Sequence, residues 1–290
     1  MPIDSVGLGL DDWGNLQGAV LVERLRTVCG KPLDIDGHLE RLKHGAEVLG
    51  IRFPTTLNSA LVHECVQRNR HAHAFEDLSV VVLLTPGKTA DRPPGCKPTV
   101  ILHTVDLHWR ALSMWYSQGQ SLITAENRNV PGNCWPPGIK SRSRMHYYLA
   151  DRQAAASEFD YAGAVMLDQA GDVTESSTAN LLIVESGRII SPPIDSVLQG
   201  LSLARTLRLA SQLGIDVAFE TIPPSRAQQA DEVLLTGTSG CIWPAARFND
   251  RVFERASMGL IYRRLCEAWK SDIGIDYIAQ AARCSQSMTE

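Results

Sequence analysis

No stretch of this 290-residue chain stays apolar long enough to span a bilayer, so a helical membrane protein is not expected. Charge of either sign is not in excess. The net value is −4, which gives no global attraction to nucleic acid or to an anionic membrane surface. Paired cysteines are missing as well. The seven, at positions 29, 65, 96, 134, 241, 266 and 284, are odd in number and form no CxxC pair. Reduced thiols and a cytoplasmic location are the reading. The histidines contain no HExxH, and His71 and His73, alternating in an apparent loop, are too few to hold a metal, so none is expected. The opening Met1-Pro2-Ile3-Asp4-Ser5 has no basic segment leading into an apolar one, so no secretory leader is expected. No internal repeat or low-complexity tract is present.

What is present fits a globular α/β chain. Apolar residues make up 44% and charged residues 21%, enough for a substantial core. Two domains are expected: a smaller α/β domain over 1–115 and a larger one over 116–290. Val20–Val28 reads as a strand ended by Gly30-Lys31-Pro32. Leu39, Leu42, Ala46 and Leu49 recur at helical spacing, with Asp36 as expected N-cap and Gly50 as stop. The runs 78–85 and 98–105 read as strands. Past the Pro/Gly-rich segment 129–138, a helix is expected over 144–157 and a strand over 162–167. Ser186-Gly187 marks a hairpin. Leu203, Leu207, Ala210 and Leu213 mark one helix, and Met258, Ile261, Leu265 and Trp269 another. A short strand over 232–235 leads into Thr236-Gly237-Thr238-Ser239-Gly240.

The chemistry concentrates in a few segments. Lys140 ends Pro136-Pro137-Gly138-Ile139-Lys140, just ahead of a helix. A lysine held in a partly dry cleft can lose its proton and form an imine. Glu175 follows 35 positions later in Gly171-Asp172-Val173-Thr174-Glu175, with Ala179-Asn180-Leu181-Leu182 after it. Leu198-Gln199-Gly200-Leu201-Ser202 turns into a helix N-terminus, whose N–H groups and dipole suit an anion. The 236–240 turn offers hydroxyls and a flexible backbone. Arg41 sits in Gly37-His38-Leu39-Glu40-Arg41-Leu42, and its fork of donors suits a phosphate. Each segment alone is a weak signal.

Together and in this order they resemble the class IV aminotransferases, relatives of the branched-chain and D-amino acid aminotransferases and of aminodeoxychorismate lyase. The likeness runs from Leu10 to Phe248 and includes Asp12-Trp13-Gly14, Gly18 through Glu23, Ala230-Asp231-Glu232 and Ile242-Trp243-Pro244. It implies the fold type IV architecture, with a small α/β domain and a larger domain built on a barrel-like sheet. It also implies pyridoxal 5′-phosphate (PLP) as cofactor. Lys140 would form the Schiff base and Glu175 would hold the pyridine nitrogen. Arg41, Leu201, Ser202 and Thr238 would hold the phosphate. Small-molecule substrates, an amino acid and a 2-oxo acid, and a homodimer are implied; nucleic acid and membrane are not.

The match thins where substrate is chosen. Val22 stands where the family often has an aromatic residue, and Arg144 where many members have a tyrosine. Arg144 is closer to the lyases, which release pyruvate from a chorismate-derived amine. On a strand Val22, Arg24 and Arg26 share one face. Val22, Arg24, Arg144 and Ser239 are therefore the substrate-binding candidates. An aminotransferase is the leading expectation, a lyase the second, and a relative that binds PLP without turnover the third.

Overall fold

The computed structural model describes residues 6–91, 97–254 and 259–288. Cys96, Met258 and the opening five residues lie outside them. The described chain forms two compact units. The first holds residues up to Leu107 together with Gly138–Arg144, and the second holds His108–Pro137 and the chain from Met145 onward. The two units divide between Leu107 and His108, and the segment bearing Lys140 belongs to the first.

In the first unit, α1 (Trp13–Gln17) leads to β1 (Leu21–Val28) and the short β2 (Lys31–Pro32). Helices α2 (Ile35–Val48) and α3 (Ser59–Asn69) follow, then β3 (Leu78–Thr85) and β4 (Thr99–Asp106). The four strands form an antiparallel sheet in the order β2-β1-β3-β4. Leu21 and Leu25 of β1, Val80 and Val82 of β3, and Leu42 and Ala46 of α2 share one core. That core fixes the face of the sheet the helices cover. Val22, Arg24 and Arg26 consequently lie on the other face, as strand alternation requires.

The α2 cap differs from expectation. Asp34, in the left-handed region at φ 54°, occupies the N-cap without a side-chain bond, and Asp36 lies inside the first turn. A carboxylate there still favours the helix dipole. Helix α3 was not foreseen from sequence. It starts at an Asn58 cap whose side chain accepts from the Leu61 amide.

The second unit begins with α4 (Trp109–Gln118) and β5 (Gln120–Arg128). Next come α5 (Met145–Ala155), β6 (Gly163–Leu167), β7 (Val173–Ser176), β8 (Asn180–Glu185) and β9 (Arg188–Ser191). Then follow α6 (Leu201–Gln212), β10 (Val217–Phe219), α7 (Pro224–Gln229), β11 (Glu232–Gly237) and β12 (Cys241–Phe248). The unit ends with β13 (Arg251–Val252), α8 (Leu260–Ile273) and α9 (Tyr277–Ser287). The sheet runs β10-β9-β8-β11-β12-β5-β6-β7, and β7 also pairs with β8. That last pairing closes β8, β11, β12, β5, β6 and β7 into a ring. Closure removes exposed edges from those strands. The result is the barrel-like sheet of the fold type IV architecture.

Two helix readings shift. Helix α6 starts at Leu201 and buries Ser202, Leu203, Thr206, Leu209 and Ala210, so its inner face is rotated from the all-apolar one expected. Helix α8 buries Ile261, Leu265 and Trp269 as expected, together with Tyr262 and Cys266. No disulfide joins the described cysteines. No described helix is long and apolar enough to cross a membrane.

Candidate active site

Lys140 is presented by a strand-like segment. The Val22 amide donates to its carbonyl (2.9 Å), the Arg142 amide donates to the Val20 carbonyl (2.8 Å), and Leu21 pairs with Ser141. Ile139 is buried in the first unit's core. Alternation then puts Lys140 beside Val22, on the face away from α2 and α3. Ser143 Oγ donates to the Gly18 carbonyl (2.7 Å) and pins the far end of the segment. The lysine is half-buried.

The same face is strongly basic. Arg24 of β1 pairs with Val81 of β3, which pairs with His103 of β4. Burial, with Arg142 and Arg144 nearby, lowers the pKa of the Arg24 guanidinium. Burial and Arg144 act on Arg142 in the same way. His103 is also pushed down, by burial first and then by Arg142 and Arg24, although its bond to Thr104 opposes this. Arg24, Arg142 and Arg144 therefore crowd together.

Arg41 has a partner that sequence reading missed. From α2, its Nε and Nη2 donate to the two carboxylate oxygens of Glu23, each at 2.7 Å. His38 Nδ1 lies 2.7 Å from Glu23 Oε2. Glu23 is buried, which by itself raises its pKa, but the bonds from Arg41 and His38 outweigh burial and hold it at about 2. Glu23 faces α2, opposite Val22 and Arg24. Two of the five Arg41 donors thus serve the fold.

The second unit holds the other candidates. Glu175, on β7, is buried. Its Oε1 accepts from Tyr147 Oη at 2.7 Å. Its Oε2 accepts from Asn180 Nδ2 and from the Leu198 amide, both at 3.2 Å. Tyr147, Asn180 and the Leu198 amide thus orient this carboxylate. Tyr147 was also missed; it lies seven residues past Lys140 and three past Arg144, the position compared with the family.

Asn180 ties this carboxylate to the α6 N-terminus. Its Nδ2 also donates to the Leu198 carbonyl (2.8 Å), and a Cβ at Gly200 would meet its Oδ1 at 2.2 Å. Glycine is required there for close approach. Gly200 is the N-cap of α6 and, being glycine, supplies no side-chain cap bond. The amides of Leu201 and Ser202 stand in that first turn, and Ser202 is buried. Thr206 Oγ1 donates to the Ser202 carbonyl (2.8 Å) and lies 3.1 Å from Thr236 Oγ1. The Thr236 hydroxyl donates to the Cys241 carbonyl (2.7 Å) across the turn bearing Thr238 and Ser239. The α6 N-terminus and this turn thus adjoin. Helix N-terminal amides, a dipole and hydroxyls suit a phosphate. A buried carboxylate suits a protonated ring nitrogen. His73, considered for metal, instead contacts Asp106 and Thr104. No metal-binding cluster occurs among the described residues.

Comparison with known proteins agrees with this architecture. The amino-transferase class IV family model matches residues 20–248, and the chain belongs to that family. A Methanocaldococcus jannaschii protein provisionally named branched-chain-amino-acid aminotransferase is 29% identical over 266 residues, covering 89% of this chain and 88% of its own. A T.th. branched-chain amino acid aminotransferase solved with pyridoxamine 5′-phosphate superposes with a TM-score of 0.80 at 21% identity, over 94% of this chain and 91% of its own. A Legionella pneumophila protein provisionally named 4-amino-4-deoxychorismate lyase gives 0.77 at 24%, over 92% and 96%. The chain is a class IV enzyme, similar to branched-chain aminotransferases over most of its length.

Proposed function

We propose that the protein is a PLP-dependent aminotransferase that moves an amino group between an amino acid and a 2-oxo acid. The observation that carries this reading is the buried Glu175 carboxylate, which accepts from Tyr147, Asn180 and the Leu198 amide beside the glycine-capped N-terminus of α6. Bound PLP supplies an electron sink for the substrate Cα carbanion. Glu175 keeps the proton on the ring nitrogen, and Tyr147 and Asn180 keep Glu175 in place. The amides of Leu201 and Ser202, with the Thr238 hydroxyl, bind the phosphate. Arg41 adds a weaker contribution to the phosphate, because Glu23 already offsets its charge. Lys140 Nζ binds the cofactor and moves the proton at the substrate Cα as acid and base. A cytoplasmic homodimer is part of this reading.

Arg144 supports a second reading, a lyase that releases pyruvate from a chorismate-derived amine. One experiment separates the two. The PLP-loaded protein is mixed with a panel of L- and D-amino acids and with aminodeoxychorismate. Conversion of the cofactor to pyridoxamine phosphate identifies transamination. Pyruvate release without that conversion identifies the lyase, and the absence of both results would refute both readings.

A further inference from the structure

Beside the turn that bears Thr238 and Ser239 lies a buried set of hydrogen bonds that the proposed chemistry does not use. Its centre is Thr206 of α6 and Thr236 of β11, whose hydroxyl oxygens lie 3.1 Å apart. Thr206 Oγ1 bonds the Ser202 carbonyl in the first turn of α6 (2.8 Å). Thr236 Oγ1 bonds the Cys241 carbonyl at the far end of the turn (2.7 Å). From α8, the buried Trp269 donates its indole N–H to Thr206 Oγ1 (3.1 Å). From α4, the buried Tyr116 donates its hydroxyl to the Gly240 carbonyl (2.8 Å). All of these residues belong to the second unit.

The turn does not hold its shape unaided. Cys241 follows it in the left-handed region at φ 56°, where the Cβ of an L-residue crowds the backbone. Such strain persists where the surroundings fix the residue. Here Tyr116 and Thr236 hold consecutive carbonyls, those of Gly240 and Cys241. The seat is close as well: a Cβ at Gly240 would meet the Trp243 ring at 2.7 Å. Trp243 is itself fixed, stacked on Trp115 at 5.3 Å and donating to Gln120 (2.8 Å).

The two threonines also link the elements on either side. A hydroxyl carries one proton. Thr206 and Thr236 therefore have two protons for three contacts: the Ser202 carbonyl, the Cys241 carbonyl and each other. A shift of either backbone redistributes the bonds of both, so the first turn of α6 and the 236–241 turn are coupled. A helix threonine often bonds the carbonyl four residues back. The contact with Thr236 does not follow from that tendency. An anion bound by amides of one element and a hydroxyl of the other is sensitive to their placement, because hydrogen bonds weaken steeply as their angles close.

We propose that Thr206, Thr236 and Tyr116 are positioning residues for the cofactor phosphate. They set the α6 N-terminus and the 236–241 turn at the separation at which both reach one anion. They act through the Leu201 and Ser202 amides and the Thr238 hydroxyl, without touching the phosphate themselves. The inference rests on the aminotransferase reading in naming that anion as the phosphate of PLP.

Fluorescence titration of the full chain, freed of cofactor, with pyridoxamine 5′-phosphate and with pyridoxamine tests this. The second probe lacks only the phosphate. Thr206→Val, Thr236→Val and Tyr116→Phe each remove one hydroxyl. Each should weaken the phosphorylated probe by about fivefold or more, the size of one hydrogen bond, and change pyridoxamine by less than about twofold. Thr206→Ser, which restores the hydroxyl, should recover most of the loss. Tyr116→Phe keeps the ring and its edge contact with Tyr277, so it decides the matter if a valine variant does not fold. Variants that weaken both probes equally, or neither, would overturn the proposal. If the wild type took up neither probe nor PLP, the aminotransferase reading would fail by itself. Calorimetry with inorganic phosphate on wild type and Tyr116→Phe would then decide the positioning role: weaker binding by the variant would support it, and equal or absent binding would overturn it.

Discussion

Arg41→Ala should destabilise the protein severely, for a reason the fold makes explicit. Glu23 lies in β1 with its carboxylate 1% exposed, and Arg41 covers both oxygens. Truncating the arginine leaves a buried charge with His38 alone. Breaking such a pair from one side costs about 3–5 kcal/mol. Titration gives a similar size by another route. A carboxylate held at about 2, against an ordinary 4.5, contributes about 3 kcal/mol at neutral pH. Its folded pKa is depressed, so that stability is fully present above about pH 4.5 and is lost as pH falls towards 2. Urea denaturation of the cofactor-free protein, followed by circular dichroism, measures the effect. Arg41→Ala should lose about 3–5 kcal/mol at pH 7, and the Glu23→Gln, Arg41→Ala double variant should lose clearly less than the sum of the singles. Near pH 2 the gap between wild type and Arg41→Ala should narrow. A loss under about 1 kcal/mol at pH 7, or additive singles, would refute the reasoning.

Other consequences concern the second unit. Glu175→Gln should retain PLP but slow single-turnover formation of pyridoxamine phosphate by about tenfold or more, because an amide lacks the charge that keeps the ring nitrogen protonated; an unchanged rate would remove Glu175 from that role. Gly200→Ala should force Asn180 away from Leu198 and cost about 1–3 kcal/mol, with weaker PLP binding in a fluorescence titration; wild-type values for both would show that the loop opens without consequence.

What sequence could disclose depended on whether a signal was local. The apolar run of β3 was legible because it is buried on both faces. Helix α2 was legible from its apolar spacing, but its start was misplaced because Asp34 caps from a left-handed conformation that composition does not reveal. Helix α3 carried the same kind of signal, since Val62, Cys65 and Val66 stand at i, i+3 and i+4, but it was not read. Helix α9 escaped because its buried face consists of Tyr277 and Ala281. The candidate residues on β7, α6 and the 236–240 turn could be picked out by family resemblance, since each lies in a short motif. Their connections could not. Glu23 and Arg41 are 18 residues apart, and Tyr147 and Glu175 are 28 apart; each pair meets only through tertiary packing. Nor does any local pattern show that Ser141 pairs with Leu21, which sets Lys140 beside Val22.

The central claim is that Lys140 is the residue to which the cofactor attaches. Borohydride reduction of the PLP-loaded protein, followed by proteolysis and peptide mass mapping, tests it without reference to any substrate. The account predicts one phosphopyridoxyl group per chain, on the peptide containing Lys140, and none in a folded Lys140→Ala variant. A label on another lysine, or an unchanged label in Lys140→Ala, would contradict it.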